Sequence, residues 1–512
     1  MVKNILDFLD NSVKQFPDKC AVCDSNSELT YKELDEISDR IGAALLSVTE
    51  PRMAVPVYMD KSCQALAIFL GAVKAGCFYL MLDPTQPIER ANMILDTLEA
   101  TVMIANEKTL AKAQKLGFTG KVIVDSECID HEVTDDERMH LEKIREQALD
   151  IDPLYSIFTS GSTGVPKGVV VNHRSVIDFI DCFTDIFDIT SEDVIGNQAP
   201  FDFDVSVKDI YSALKTGATL VLIPKMMFSF PTKLLDYLDE KKITSLTWAV
   251  SALCIITTLN GFEYKVPRYI NKVIFSGEVM PIKHLNIWRE HYPDAMFVNV
   301  YGPTEITCNC TYYIVDRHYD LDEILPMGKA FPNERVFLLD EEDKLIDSSK
   351  HNQIGEICVS GTAVTLGYYN NREKTDQAFV QNPLNKAYNE IIYRTGDLGY
   401  YNKNGMMCFS SRKDFQIKHM GHRIELGEID MAINAEENVL RACCIFDQDN
   451  NKILGFYEGT ATKKAITHGL MQRVPKFMIP SELIHVDKMP ITKNGKIDRK
   501  QLMTDYEGGK NE

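Results

Sequence analysis

The segment Thr159-Ser-Gly-Ser-Thr-Gly-Val-Pro-Lys-Gly168 packs Gly161, Gly164 and Gly168 among the hydroxyls of Thr159, Ser160, Ser162 and Thr163. Glycine lets backbone N–H groups close around an anion, and hydroxyls add donors, so phosphate suits this chemistry. Gly/Ser/Thr clusters are also ordinary surface loops, and the segment alone leaves both readings open. It is not a Walker A loop, which would need glycine at Pro166 and a hydroxyl residue at Gly168. Other reactive side chains have bland local readings. Tyr301-Gly-Pro reads as a turn, Glu305 as a solvated acid, Asp397 after Gly396 as a turn residue, and Lys496 as a surface lysine like Lys493, Arg499 and Lys500.

The elements that must hold the glycine-rich loop follow from periodicity. A strand-like run, Leu154-Tyr-Ser-Ile-Phe, leads into it. Elsewhere, runs such as Val122-Ile-Val, Ala218-Thr-Leu-Val-Leu-Ile and Lys272-Val-Ile-Phe alternate with helix-like stretches such as Leu234-Leu-Asp-Tyr-Leu-Asp-Glu-Lys, the pattern of α/β layers. From Val336 to Phe409 the pattern changes to short strands broken by turns such as Asn352-Gln-Ile-Gly and Asn402-Lys-Asn-Gly. After Ser411, about a hundred residues carry apolar segments of their own, enough for a small α+β domain. The expected fold is α/β: layered α/β subdomains plus a β-rich subdomain over 1–410, and a small α+β domain over 411–512.

Composition narrows the partners. A chain of 512 residues, 45% hydrophobic and 25% charged, reads as globular with more than one domain. Its net charge of -19 disfavours attraction to the polyanions nucleic acid and anionic membrane. The first ten residues have the spacing of an amphipathic helix rather than a secretory stretch. The longest apolar run, 65–73, is far short of the roughly 20 residues that span a bilayer, so no membrane insertion is expected. Thirteen cysteines, an odd number, read as reduced thiols of a cytoplasmic protein. Cys20-Ala-Val-Cys23 has redox or half-zinc spacing, but no second pair accompanies it; it reads as a short strand entering a turn.

Further segments stand in a meaningful order. They are Leu29-Thr-Tyr-Lys-Glu-Leu, Lys74-Ala-Gly-Cys-Phe-Tyr-Leu-Met-Leu-Asp-Pro, the loop above, Phe203-Asp-Val-Ser-Val, Asn299-Val-Tyr-Gly-Pro-Thr-Glu and Gly355-Glu-Ile-Cys-Val-Ser-Gly. After these come Tyr393-Arg-Thr-Gly-Asp, Arg412-Lys-Asp-Phe-Gln-Ile-Lys, Gly421-His-Arg-Ile-Glu-Leu-Gly-Glu, Pro475-Lys-Phe-Met-Ile-Pro and Asn494-Gly-Lys. On these residues the chain resembles, over nearly its whole length, the adenylate-forming superfamily of amino-acid adenylation domains, acyl-CoA synthetases and luciferases.

The resemblance implies an enzyme that uses ATP and Mg²⁺ to turn a carboxylic acid into an acyl-AMP and then a thioester. Thr159, Ser160, Ser162, Thr163 and Lys167, with Gly161 and Gly164 in the same loop, would hold the β- and γ-phosphates. Tyr301, flanked by Asn299 and Gly302 in the nucleotide pocket, would stack on adenine. Thr304 would reach the α-phosphate, and Glu305 would coordinate Mg²⁺, a hard cation that prefers oxygen ligands. Asp397 would accept from the ribose hydroxyls beside Arg412, and Asp414 would mark the hinge of a mobile small domain. Lys496 would be the catalytic lysine, bridging attacking carboxylate and α-phosphate. One departure is Ser411, where the family usually has glycine before the arginine.

Amino-acid adenylating members are similar in placing an aspartate after the phenylalanine of the Phe203 segment, where it pairs with the substrate ammonium; here that is Asp204. The implied pocket is Asp204, Val205, Lys208, Thr247, Ile274, Ser276, Val300, Cys308 and Asn309. Within the superfamily the chain most resembles stand-alone ligases that charge a carrier protein with D-alanine for teichoic acid esterification. Lys208 and Ser276 depart from that pattern. A lysine there would either pair with the side chain of an acidic amino acid or snorkel outward. The implied partners are a small amino acid and the phosphopantetheine of a separate acyl or peptidyl carrier, since 497–512 is too short for a carrier domain. An acyl- or aryl-CoA synthetase and a nucleotide-binding regulator without catalysis are the competing readings.

Overall fold

Strands that are apolar on both faces must be covered by helices on both sides, and most of the chain is organised around two such sheets. The computed structural model describes residues 2–161, 165–321, 323–413, 416–491 and 497–508. A six-stranded sheet runs in the order Lys121–Val124, Val102–Ala105, Ala54–Tyr58, Phe78–Met81, Pro153–Thr159, Lys167–Asn172. It is parallel except for its last pair, an antiparallel hairpin that closes around the glycine-rich loop. The strand expected before that loop is therefore present.

A nine-stranded sheet carries Lys272–Ser276 near its middle, flanked by Ser245–Ala249 and Met296–Tyr301, with antiparallel strands at both edges. Val194–Asn197 pairs with Thr219–Leu222 on one side and Ser245–Ala249 on the other. The chain thus leaves Val194–Asn197 toward one edge and returns on the opposite side. Such a reversal opens a crevice beyond the carboxyl ends of the strands, where ligands bind in α/β sheets. The helix Cys63–Lys74 presents Leu66, Phe69, Leu70 and Val73 to the same core as Tyr79, Phe201 and Ile210. Helix Tyr31–Leu45 starts at a capping box between Thr30 and Glu33.

The region 334–412 forms a third sheet of short antiparallel strands, with Ile391–Tyr401 pairing both Gly355–Gly361 and Met407–Arg412, so the expected β-rich segment is borne out. Beyond it, Gln416–His419 and His422–Glu425 form a hairpin, and Val439–Asp447, Lys452–Gly459 and Glu482–His485 a three-stranded sheet. These strands and the helices Leu426–Asn434 and Lys463–Arg473 enclose a separate core of Ile424, Ile429, Ile453, Tyr457, Ile466 and Leu470. The α/β class with a small α+β terminal part agrees with expectation.

Cys20–Cys23 is a strand, and no cluster of three or more His, Cys, Asp or Glu suited to a metal occurs among the described residues. No helix among them is long and apolar enough to cross a membrane. One expectation is corrected: Arg499 is not a solvated cation but donates to Asp430 Oδ2 at 2.8 Å, because Asp430 needs a counter-charge as it is drawn into the terminal core.

Trp248 is fully buried in the nine-stranded sheet and its indole N–H donates to the Gly196 carbonyl at 2.7 Å, next to the strand end at the crevice. Trp248→Ala is expected to cost about 3–5 kcal/mol of unfolding free energy in urea followed by circular dichroism. A cost under about 1 kcal/mol would mean that this packing does not hold in solution.

Candidate active site

The carboxyl ends of the central strands face one cavity. Its walls come from Thr159 and Ser160 at the end of one sheet, Ser276 at a strand end of the other and Asp204 at the start of the helix Val205–Thr216, Asp397 and Arg412 from the β-rich sheet, and Lys418, Gly421 and Arg423 from the terminal hairpin. Gly302, Thr304, Cys308 and Asn309 close a further side. Only glycine fits at 302, since a Cβ there would meet Asn309 Cα at 2.5 Å and the Cys308 carbonyl at 2.7 Å. Thr307 and Cys308 take positive φ values of 56° and 87°, a strained turn that the Thr307 hydroxyl anchors by donating to the Ala363 carbonyl at 2.8 Å.

At the nucleotide end, Asp397 is buried between two donors, the Tyr301 hydroxyl and the Arg412 guanidinium, each at 2.5 Å. Burial and the Asp397 charge push the Tyr301 hydroxyl far above its usual range, so it stays a donor. The Lys418 ammonium lies 5.3 Å from the Tyr301 ring centroid, a cation–π contact, and burial depresses its pKa. The Thr159 hydroxyl is buried with no hydrogen-bond partner among the described residues. An orphaned donor at the mouth of a glycine-rich hairpin fits a phosphate oxygen. The Asn299 amide is instead turned to the Pro326 carbonyl at 2.8 Å and does not line the cavity.

Glu305 is fully buried, and its carboxylate accepts from the Tyr368 hydroxyl at 2.8 Å and from Arg423 at 2.6 Å. Burial alone would raise its pKa, but the Arg423 and Lys167 charges outweigh that and hold it at about 2. Lys167 lies over the Tyr368 ring at 5.1 Å, its pKa lowered by burial. The terminal hairpin also reaches Ser160, whose hydroxyl donates to the Arg423 carbonyl at 3.0 Å and accepts from the Glu425 N–H at 3.1 Å. Gly421 N–H donates to Glu278 at 3.0 Å, and Arg90 pairs with Glu428. Oxygen chemistry at Glu305 suits Mg²⁺, but in this arrangement Arg423 neutralises that carboxylate.

At the opposite end, burial raises the Asp204 carboxyl above its usual range, against the Thr304 hydroxyl and the Lys208 charge. Lys208 is completely buried and donates to Asn309 Oδ1 at 2.8 Å, so it does not snorkel outward. Of the expected pocket residues, Asp204, Val205, Ser276, Cys308 and Asn309 line the cavity. Thr247, Ile274 and Val300 are buried strand residues behind that wall. Ser162, Thr163, Gly164, Asp414 and Lys496 lie outside the described residues. Arg423, Tyr368, Lys418, Arg90 and Glu428 received no role from sequence. The segments Gly421-His-Arg-Ile-Glu-Leu-Gly-Glu and Arg412-Lys-Asp-Phe-Gln-Ile-Lys marked Arg423, Glu428 and Lys418, by position alone.

Comparison with known proteins agrees with this architecture. A family model described as AMP-binding enzyme matches residues 9–369. A D-alanine--D-alanyl carrier protein ligase of Staphylococcus haemolyticus is 31% identical over 98% of this chain and 99% of its own length. Tyrocidine synthase 1 of Brevibacillus parabrevis is 29% identical over 98% of this chain, which spans only 45% of that protein. Among solved structures, holo-PA1221, a nonribosomal peptide synthetase protein with adenylation and PCP domains, superposes with a TM-score of 0.82 at 22% identity, covering 98% of this chain and 84% of that one, a likeness of fold. The fold and its cavity are of the class of ATP-dependent, AMP-forming ligases. The chain belongs to the AMP-binding enzyme family.

The buried Glu305–Arg423 pair joins the terminal hairpin to the rest of the chain. Glu305→Gln and Arg423→Met are each expected to cost about 3–5 kcal/mol in urea unfolding, by leaving the partner charge buried alone. The double variant should cost distinctly less than the two together, and additive costs would show that the pair is not formed in solution.

Proposed function

We propose that this chain is an ATP-dependent, AMP-forming amino acid:carrier protein ligase, acting in the cytoplasm. It condenses a small amino acid, D-alanine in the leading reading, with ATP to aminoacyl-AMP and pyrophosphate. It then transfers the aminoacyl group to the phosphopantetheine thiol of a separate carrier. The observation that carries this reading is one cavity bounded at one end by Asp204 and at the other by the Asp397–Arg412 pair and the unpartnered Thr159 hydroxyl. The likeness to D-alanine--D-alanyl carrier protein ligases supports the leading substrate.

Attack of a carboxylate on the α-phosphate joins two anions, so the residues must supply cations and oriented donors where charge gathers. Asp204 pairs with the substrate ammonium and so sets which end of the amino acid faces the nucleotide. Thr159, Ser160, Ser162, Thr163 and Lys167, with the backbone of Gly161 and Gly164, take the β- and γ-phosphates. Tyr301 and Gly302 border the adenine, Asp397 and Arg412 the ribose, and Thr304 donates to the α-phosphate. Glu305 would hold Mg²⁺, which would supply positive charge at the triphosphate. Arg423 holds that carboxylate in this structure and would have to release it for a metal to be held there. Residues 1–410 and 411–512 form two domains that pivot near Asp414. The small one offers Lys496 for adenylation and its Gly421 hairpin for thioester formation.

A second reading has its own support. A fully buried ammonium on Lys208 that donates to Asn309 has capacity for a further acceptor, such as the side-chain carboxylate of an acidic amino acid. Radiolabelled pyrophosphate exchange into ATP across D- and L-amino acids, aryl acids and fatty acids decides the class. Exchange only with aryl or fatty acids would make the chain an acyl-CoA synthetase, and none at all would make it a regulator. In the same assay Lys208→Met should lower kcat/KM for an acidic amino acid about tenfold or more while sparing D-alanine. Unchanged ratios would remove the lysine from side-chain recognition.

The two half-reactions are separable at Lys496. Lys496→Ala should slow pyrophosphate exchange by about 10²–10³, while thioester formation on a carrier from chemically made aminoacyl-adenylate persists. Equal loss of both steps at unchanged thermal stability would refute the domain rotation.

A further inference from the structure

Lys61 belongs to none of the segments that mark the site. It precedes Ser62, the N-cap of the helix Cys63–Lys74. Its ammonium lies 2.8 Å from Asn197 Oδ1, and 3.3, 3.4 and 3.2 Å from the carbonyl oxygens of Asn197, Gln198 and Ala199. Those consecutive carbonyls end the strand Val194–Asn197, where the sheet order reverses, and begin the loop to Asp204. The Asn197 carbonyl also accepts from the Ile223 N–H at 3.1 Å, whereas those of Gln198 and Ala199 lie beyond the sheet and need a donor from elsewhere. The Asn197 amide continues the chain of contacts, donating at 2.8 Å to Asp209 on the helix Val205–Thr216, whose N-cap is Asp204. One cation thus ties the strand end before the loop to the helix after it.

We infer that Lys61 is a positioning residue for the amino-acid half of the site, holding the 198–203 loop so that Asp204 stands where the substrate ammonium arrives. The inference rests on the reading of Asp204 as the amine's partner. It touches neither substrate nor nucleotide, so its loss should weaken capture of the amino acid and leave ATP binding largely as it was.

The charge state of Lys61 supplies a readout that packing alone would not. Burial lowers its pKa to about 7, with Asp209 on the following helix opposing and Lys225 of the turn Lys225–Ser229 adding to the depression. Asp209 is itself raised to about 7, chiefly by burial. The strand end and loop offer Lys61 backbone carbonyls and the Asn197 amide oxygen, and the same loop carries Asp202, whose carboxyl burial raises to about 7. A lysine with a depressed pKa is charged below that value and neutral above it, so its grip weakens as pH rises. Arginine remains charged throughout.

The test is pyrophosphate exchange with the full chain, using whichever of D-alanine, D-aspartate and L-aspartate exchanges fastest. Lys61→Met should raise the amino-acid KM about tenfold with the ATP KM within about twofold, and Lys61→Arg should recover most of the loss. In the wild type the amino-acid KM should climb from about pH 6 to about pH 8.5, and Lys61→Arg should flatten that climb. Equal changes in both KM values, no change in either, or a pH profile unaltered by Lys61→Arg would overturn the inference. The profile decides even if Lys61→Met does not fold. Asp204→Asn run alongside separates the two readings. If it leaves the amino-acid KM unchanged, the amine assignment fails; if it raises KM while Lys61→Met does not, only the role of Lys61 fails.

Discussion

Burying charge without a partner is the constraint on which this structure depends. Glu305 has no exposure to water, and it stays ionised only because Arg423 and Lys167 stand beside it. Since Arg423 belongs to the terminal hairpin, the electrostatics of Glu305 also decide where the last part of the chain rests. The Ser160 contacts, the Gly421 to Glu278 bond and the Arg90–Glu428 pair follow the same docking. The Glu305 carboxylate is neutralised by the protein's own cations.

A buried carboxylate needs a cation beside it, and at Glu305 the structure shows Arg423 and Lys167 in that place. Arg423 fills that role in this structure and so anchors the hairpin at 2.6 Å. The cost of an unpaired buried charge, several kcal/mol, is large enough to shift an equilibrium between two arrangements by orders of magnitude.

The amino-acid end obeys the same rule at smaller scale. Asp204, Lys208, Asp209 and Lys61 are four ionisable groups within a few turns of the crevice, and each is placed near an opposite charge or a row of carbonyls. The strand reversal at Val194–Asn197 opens the crevice, and these contacts give it a fixed shape. The strained turn at Thr307 and Cys308 serves the same end by bringing Asn309 onto Lys208.

Much of this was legible in the chain itself. Alternating apolar runs specified the layers, because the sheet and helix periods are local properties of the backbone. The hairpin around Thr159 to Gly168, the β-rich segment and the terminal core all fall where periodicity and turn residues put them. The order of the motifs disclosed the family, because a binding loop needs particular residues at adjacent positions. What sequence did not disclose are the pairings between distant segments: Arg423 with Glu305, Arg90 with Glu428, Lys61 with Asn197 through Ala199, Arg499 with Asp430. Read alone, each of those residues is an ordinary charged side chain. Whether lysine 208 faces solvent or pocket was equally open, since both are sterically available to a flexible side chain. Only the folded packing, which removes water and leaves each charge to find its counterpart, decided which of them meet.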